Sequence, residues 1–197
     1  LCITHNLWII SDEVYEELIF SGNFVSPLSL ESIAQRTIVV SSISKTHAAP
    51  GFRSGWAIGP KEFCERALPL SETMLFGSQP FIADMTALAL SRPSKVSINM
   101  KIAYQRRAEL VYNGLINLKQ VRPLMPDAGM FILIDISQTS LDCSQFSWRL
   151  LEEYNVAVMP GSSFGDQAKN FIRISLTVPD KELISAVDRI SAFTKDL

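Results

Sequence analysis

Two short runs of apolar and β-branched residues, each ending in polar residues, constrain the fold of this chain more than any other feature. The first is Leu7–Ile10, which leads into Ser11-Asp12. The second is predicted to form a strand over Thr37–Ser42, in which the apolar residues lead into Ser41-Ser42. Continuous runs of this length are typical of buried parallel strands. A segment with helical spacing, 28–35, separates them. The pattern predicts an α/β fold with a doubly wound sheet, in which ligands bind beyond the carboxyl ends of the strands.

The remaining periodicities divide the chain into two parts joined by a long helix. Residues 1–92 are predicted to be part of a large α/β domain, 93–119 a connecting helix, and 120–197 a small α+β domain. Apolar spacing and turn residues predict further strands at Phe52–Ile58, Met130–Ile136, Val156–Met159 and Phe171–Leu176. Helices are predicted at Lys61–Met74 with an interruption at Pro69, at Phe81–Ser91, at Lys95–Leu118, at Asp142–Tyr154 with Ser140 or Asp142 as N-cap, and from Asp180 onward with Leu183, Ile184, Val187, Ile190 and Phe193 on one face.

Charge and composition argue against several classes of function. The 197 residues carry 18 Lys and Arg against 20 Asp and Glu without a basic cluster, which disfavours nucleic acid and membrane surfaces as partners. No apolar run approaches the roughly 20 residues that cross a bilayer. Three cysteines without a CxxC pair favour a reducing cytosol, and two isolated histidines leave no zinc site. Because the chain begins at Leu1, we expect it to be a piece of a longer protein.

The segment after the second predicted strand carries the clearest chemical signal. Lys45 follows the strand end and is flanked by hydroxyl residues, among them Ser42 and Ser44, and Arg53 comes eight residues later between Gly51 and Gly55. Hydroxyl groups together with one guanidinium suit a phosphate dianion, and the glycines allow the backbone to approach closely. A lysine beside a bound phosphate at a strand end can form a Schiff base.

A second polar segment follows the first predicted strand. It contains Asp12 and Tyr15, and the carboxyl ends of neighbouring parallel strands lie at one edge of a sheet. We therefore expect Asp12 and Lys45 to face one cavity although 33 positions separate them. A carboxylate there can keep a pyridine nitrogen protonated, and a phenol can hydrogen-bond a ring oxygen.

These segments resemble, in order, six motifs of the fold-type I, class I and II aminotransferases, which depend on pyridoxal phosphate. The family patterns are D-x-x-Y, S-x-S-K-(S/T), G-x-R-x-G-(W/Y), P-x-G-x-(F/Y), P-G-x-x-F-G and a strand with an arginine before a hydroxyl residue. In this chain they read Asp12–Tyr15, Ser42–Thr46, Gly51–Trp56, Pro126–Phe131, Pro160–Gly165 and Phe171–Ser175. The resemblance runs from residue 1 to the end. It implies the C-terminal part of the doubly wound, cofactor-binding large domain, followed by the small C-terminal domain.

The resemblance also implies a role for each matching residue near the cofactor ring. Lys45 would hold pyridoxal 5'-phosphate as a Schiff base and, once an amino acid has displaced it, would act as the general base. Asp12 would keep the pyridine nitrogen protonated, and Tyr15 would contact the ring hydroxyl.

The remaining matches imply the anion-binding groups. Ser42, Ser44 and Arg53 would bind the cofactor phosphate, and Arg173 would clamp the substrate α-carboxylate in a two-point pairing. The implied reaction is transamination between an L-amino acid and a 2-oxo acid in a cytoplasmic homodimer, without a metal. The first half of such an enzyme normally supplies a glycine-containing phosphate loop and an aromatic ring stacked on the cofactor, and neither is found in this sequence.

Two other functions use the same residues and stay open at the level of sequence. A pyridoxal-phosphate-dependent carbon–sulfur β-lyase would share the whole set of cofactor residues and would differ in its products. An aminotransferase-like effector domain of a transcription regulator would bind without catalysis and would need a DNA-binding domain upstream.

Two local patterns bear on a different enzyme class and on the substrate. Gly161–Gly165 matches the G-x-S-x-G nucleophile elbow, but a strand rather than a helix is predicted after it and no histidine follows His47, so we interpret it as a turn. In the segment 76–84, Asp84 takes the place of the usual glutamine. This segment is similar to that of arginine–pyruvate transaminases, which implies a substrate with a cationic side chain.

Overall fold

The computed structural model describes residues 1–77 and 79–197, which form two compact units. The first unit is Leu1–Met100 and the second is Lys101–Leu197, so that the longest helix crosses the boundary. The predicted domain limits at residues 92 and 119 remain a prediction. Across the described ranges, no helix combines the length and the apolarity that a membrane crossing needs.

The first unit contains a three-stranded sheet of order β1-β2-β3. Strand β1 pairs parallel with β2, and β2 pairs antiparallel with β3. The β-branched residues of β2 alternate between buried and half-buried, as expected for a strand between two neighbours. The elements are β1 (Ile9–Asp12), a 3-10 turn (Pro27–Ser29), α1 (Glu31–Ala34), β2 (Thr37–Ser42), α2 (Ile43–Thr46), a 3-10 turn (Pro50–Phe52), β3 (Gly55–Ile58), α3 (Lys61–Leu75), α4 (Pro80–Leu90) and α5 (Lys95–Leu115).

The first strand differs from its prediction in position and in burial. It begins at Ile9 rather than at Leu7, and the parallel pairing with β2 is confirmed. In this chain taken by itself the run is not buried as predicted, because Trp8 is 50% and Ile10 72% exposed. Both side chains line an open groove of about 460 Å³ beside Phe63 and Leu70 of α3, so that this helix covers the sheet only in part.

Two further predictions in this unit need correction. The third strand begins at Gly55 rather than at Phe52, since Pro50–Phe52 closes a 3-10 turn and Arg53 is left-handed with φ 51°. Helix α3 continues through Pro69 without the predicted interruption. A proline in a helix interior removes one backbone hydrogen bond, and α3 tolerates this loss at an exposed position.

The second unit contains a four-stranded antiparallel sheet of order β4-β5-β7-β6, two helices that follow in the chain, and the part of α5 from Lys101 onward, whose Ala108, Val111 and Leu115 are buried. Because side chains alternate along β5 and β7, every second residue of these strands is buried in the core. The buried residues are Ile132, Ile134, Ile172 and Ile174 of the strands, Phe146 and Leu150 of the helix after β5, and Leu183, Val187, Ile190 and Phe193 of the C-terminal helix. The elements are β4 (Arg122–Leu124), β5 (Phe131–Asp135), α6 (Cys143–Tyr154), β6 (Met159–Pro160), β7 (Phe171–Ser175) and α7 (Asp180–Lys195).

The ends of α6 explain both a confirmed and a wrong prediction. Asp142 is the N-cap, and its side chain accepts hydrogen bonds from the backbone of Ser144 and Gln145 in a capping box. At the other end Asn155 is left-handed, and the Val156 N–H bonds back to the Leu150 carbonyl. The Val156 N–H thus takes part in the helix terminus and not in a strand ladder, and the strand predicted at Val156–Met159 is confined to Met159–Pro160.

Two smaller differences remain in the second unit. The sequence reasoning did not find β4, a three-residue strand whose central residue is a proline. Ile184, predicted on the apolar face of α7, is 48% exposed, whereas its four apolar companions on that face are buried.

Candidate active site

One connection between two strands carries most of the predicted cofactor residues. Ser42, the last residue of β2, is the register partner of Gly55, the first residue of β3. The twelve intervening residues therefore leave and return at the same edge of the sheet. This pairing places Lys45 and Arg53 on one short loop, at the carboxyl end of β2.

The lysine lies in a single helical turn that directly follows the strand. Ser42 caps this turn, because its Oγ accepts the N–H of Ser44 at 3.3 Å. Ile43 and Thr46 are buried and anchor the turn, while Lys45 between them is half-buried. The turn is thus fixed on one side and presents the lysine on the other.

Arg53 is held by its backbone and by a local hydrogen bond. Its φ of 51° is unusual for a residue other than glycine, and its Nη1 donates to the Pro50 carbonyl at 2.9 Å. Gly55 permits the close strand pairing beside it, since a Cβ there would lie 2.8 Å from the Ser41 carbonyl oxygen. At Gly51 no atom of the described residues lies within 4 Å of the Cβ position, so a close approach of its backbone to a phosphate stays a prediction.

The predicted acid lies on the neighbouring strand at the same edge. Asp12 ends β1 and is the register partner of Val40, two residues before Ser42. Its Oδ1 accepts the N–H of Val14 at 3.2 Å, and the side chain is exposed. Tyr15 is half-buried in the turn that follows.

A buried carboxylate in this turn was not found from the sequence. Glu13 is only 5% exposed, and its Oε1 accepts a hydrogen bond of 2.6 Å from Ser26 Oγ. Burial, together with the charges of Glu13 and Glu17, raises the pKa of Glu16. The only sequence signal for Glu13 was its place between the strand end and Tyr15, which does not distinguish buried from exposed.

In the second unit, three of the six motifs meet around Arg173. Its guanidinium carbon lies 4.4 Å from the ring centroid of Phe164 and 5.3 Å from that of Phe131. Phe131 ends the Pro126–Phe131 motif and Phe164 belongs to the Pro160–Gly165 motif. Both motifs are recognisable in the sequence, but neither ring carries a predicted role.

The turn at Gly161–Gly165 has the form expected for a turn rather than for a nucleophile elbow. Gly161–Phe164 is a 3-10 turn, a second one follows at Asp166–Ala168, and the chain then enters β7. A nucleophile elbow requires a helix directly after the serine.

Comparison with solved structures defines the class of protein to which this fold belongs. The aromatic aminotransferase from Pyrococcus horikoshii superimposes with a TM-score of 0.94 at 32% identity, over 99% of this chain and 53% of that one. A probable N-succinyldiaminopimelate aminotransferase from Thermus thermophilus gives a TM-score of 0.90 at 31% identity. The fold is therefore the C-terminal part of a fold-type I aminotransferase, as the sequence predicted.

Sequence comparison gives the family. The model of aminotransferase class I and II matches residues 1–190, and the chain belongs to this family. An arginine–pyruvate transaminase from Pseudomonas aeruginosa is 43% identical over 197 residues, which is all of this chain and 50% of that protein. An aspartate aminotransferase from Pyrococcus horikoshii is 30% identical over 94% of this chain. The chain spans about half the length of the curated relatives it matches.

Proposed function

We propose that the protein containing this chain transfers an amino group from an L-amino acid to a 2-oxo acid, with pyridoxal phosphate bound at the shared edge of β1 and β2. One observation supports the proposal: Asp12 ends β1, and Ser42, Lys45 and Arg53 follow one another at the carboxyl end of the neighbouring β2, so that a carboxylate, a hydroxyl, an amine and a guanidinium belong to one edge of the sheet. This donor set fits a cofactor that has an aldehyde, a basic ring nitrogen and a phosphate dianion.

Each proposed role follows from the chemistry of the side chain. When bound, pyridoxal phosphate supplies an electron sink for the carbanion left by loss of the α-proton. Asp12 keeps the ring nitrogen protonated, and Tyr15 hydrogen-bonds the ring hydroxyl. Lys45 attaches the cofactor and, as a free amine, takes the α-proton as general base. Ser42, Ser44 and Arg53 hold the phosphate, with the guanidinium supplying a charge-assisted contact.

Arg173 is proposed to bind the carboxylate that amino acid and 2-oxo acid substrates share. Its planar fork of donors matches a carboxylate in two parallel hydrogen bonds, which a lysine does not reproduce. Arg173 would therefore bind the amino acid, which donates the amino group, and then the 2-oxo acid, which accepts it.

The substrate side chain and the assembly are further parts of the proposal. A cationic donor such as arginine is supported by the acidic Asp84 in α4 and by the similarity to an arginine–pyruvate transaminase. A substrate panel in which aspartate or alanine reacts while arginine and lysine do not would contradict this part. The proposed assembly is a cytoplasmic homodimer.

Two alternatives are separated by product and by context. A carbon–sulfur β-lyase would release ammonia and a thiol, whereas a transaminase releases a 2-oxo acid and the new amino acid. A regulator's effector domain would bind the cofactor and would give neither set of products.

The test of the cofactor site is reductive trapping in the protein that contains this chain. The protein is incubated with pyridoxal phosphate and reduced with borohydride. Its intact mass is then measured by mass spectrometry, and the modified residue is located by peptide mapping. We expect a stable adduct on Lys45, its loss in Lys45→Arg, and an unchanged adduct in the control Lys119→Arg. An adduct on another lysine, with Lys45 free, would contradict the proposal.

A further inference from the structure

The guanidinium of Arg173 lies against two aromatic rings. Phe164 and Phe131 lie within cation–π distance, at 4.4 and 5.3 Å from the guanidinium carbon. In the part of the chain that the structure describes, residues 1–77 and 79–197, no hydrogen-bond or ion-pair partner of this guanidinium is found. Within these residues none of its five N–H donors is occupied.

The sheet itself brings the first ring to the arginine. Arg173 is the register partner of Leu133 on β5, and Phe131 lies two residues before Leu133. Residues two apart on a strand share a face, and a diagonal cross-strand neighbour is within reach of aromatic and long side chains. Ile172 and Ile174 are buried, so Arg173 and Phe131 lie on the opposite face of this sheet.

The second ring is positioned by the backbone of its turn. Gly161, three residues before Phe164, is buried, and a Cβ there would collide with the carbonyl groups of Ala168 and Phe171. Gly165, directly after Phe164, has φ 110°, which other residues rarely adopt. The turn therefore has one tightly packed glycine and one glycine of special conformation, with the ring between them.

We propose that Phe164 and Phe131 are positioning residues, which orient the Arg173 guanidinium for the carboxylate of the substrate. The inference rests on the proposed function. It adds that two aromatic rings take the place that a counter-ion of Arg173 would otherwise occupy. A π face attracts the cation without occupying its N–H donors, whereas an aspartate or glutamate in the same place would compete with the incoming carboxylate. The rings thus hold the arginine in place and leave its hydrogen-bonding edge to the ligand.

The experiment replaces the ring by an aliphatic side chain of similar bulk in the protein that contains this chain. In Phe164→Leu we expect the KM values of L-arginine as donor and of pyruvate, used as a probe 2-oxo acid, to rise about 2- to 30-fold with kcat nearly unchanged. This range is a cation–π energy of about 0.5–2 kcal/mol converted at about 1.4 kcal/mol per tenfold. Phe164→Tyr keeps the ring face, and it should restore both KM values.

A binding measurement tests the inference independently of turnover. Valerate, a monocarboxylate without an amino group, should bind with a dissociation constant raised by the same factor in Phe164→Leu, as measured by calorimetry. The control Trp148→Leu removes an aromatic side chain that is 63% exposed on α6, and it should leave the dissociation constant unchanged. If Phe164→Leu does not fold, Phe131→Leu provides the same comparison.

The outcomes separate this inference from the proposed function. Unchanged valerate binding and KM in a folded Phe164→Leu protein would overturn the role of the ring, as would a loss confined to kcat or a failure of Phe164→Tyr to restore KM. A wild-type protein that transfers no amino group would instead contradict the proposed function. Valerate binding, and its weakening in Phe164→Leu, would still decide the role of the rings in that case.

Discussion

Gly161 offers a sharp test of how the turn beside Arg173 is built. It is buried, and a methyl group in place of its hydrogen would lie 2.5 Å from the Phe171 carbonyl oxygen and closer still to that of Ala168. Real Cβ atoms essentially never approach another heavy atom within 3.0 Å. Both obstacles are backbone atoms, and Phe171 is fixed in β7 by its pairing with Asp135. The Gly161→Ala substitution therefore has to displace the turn from the sheet.

The magnitude follows from the cost of overpacking. Extra groups in a well-packed site cost about 1–3 kcal/mol, and two rigid obstacles place Gly161→Ala near the upper end, at about 3 kcal/mol. A chain of about 150–250 residues loses about 2–4 °C of Tm per kcal/mol, which gives a fall of about 6–12 °C for a chain of this length. Because the entropy of unfolding grows with length, the fall is about 3–6 °C in a protein twice as long. Thermal unfolding followed by circular dichroism measures it. The KM values should rise as well, since the turn carries Phe164.

Two other glycines serve as matched comparisons. At Gly51 no atom lies within 4 Å of the Cβ position, so Gly51→Ala should change stability by less than about 0.5 kcal/mol. At Gly165 the space is free but φ is 110°, so Gly165→Ala should cost about 1–3 kcal/mol through backbone strain alone. Gly161→Ala with wild-type stability, or a Gly51→Ala protein destabilised to the same extent, would refute the steric reasoning.

Three further predictions concern the second unit. Asp142→Ala removes the capping box of α6 and should lower the free energy of unfolding by about 0.5–2 kcal/mol in urea, whereas Ser140→Ala, the other candidate cap in the sequence, should have little effect. Phe193→Ala empties a fully buried position that contacts the Phe146 ring edge-on, and calorimetry should show a loss of about 3–5 kcal/mol. Burial would raise the pKa of Asp135, but hydrogen bonds from Ser137 and the charge of Arg122 outweigh it and lower this pKa below 3.8. Its ionised form therefore adds stability above about pH 3.8 that is lost as the pH falls toward the lowered pKa, so Asp135→Asn should destabilise the protein at pH 7 and approach wild type under strongly acidic conditions.

The parts of the fold that local patterns determine could be predicted from the sequence. The segment Thr37–Ser42 forms a strand with the predicted bounds, and Asp142, one of the two predicted N-cap candidates, caps α6. Tertiary packing determines the features that could not be predicted, such as the length of α3 and the exposure of β1. Helix α3 continues through Pro69 because one missing hydrogen bond does not end a helix of fifteen residues. The exposure of Ile10 depends on how much of the sheet α3 covers, which no periodicity reports.

The same distinction holds for the candidate site. The grouping of Ser42, Lys45 and Arg53 could be predicted because all three lie in or beside one short loop. The pairing of Ser42 with Gly55 closes this loop, so residues close in sequence are also close in space. The contact between Phe164 and Arg173 is not readable in this way, since it joins a turn to a strand through backbone packing at Gly161. The burial of Glu13 likewise depends on Ser26, thirteen residues away in a loop.

The two arginines of the motifs are held in different ways, and the difference bears on their proposed ligands. Arg53 gives one N–H to the Pro50 carbonyl and keeps a left-handed backbone, an arrangement that costs about 1–3 kcal/mol and persists only where the surroundings enforce it. Such a rigid donor suits a group that stays bound, as a cofactor phosphate does. Arg173 contacts two π faces and gives none of its N–H groups to a partner in the described ranges, so its whole donor edge is available. A carboxylate that must bind and leave in every turnover is served by an arginine with a fixed position and no competing anion.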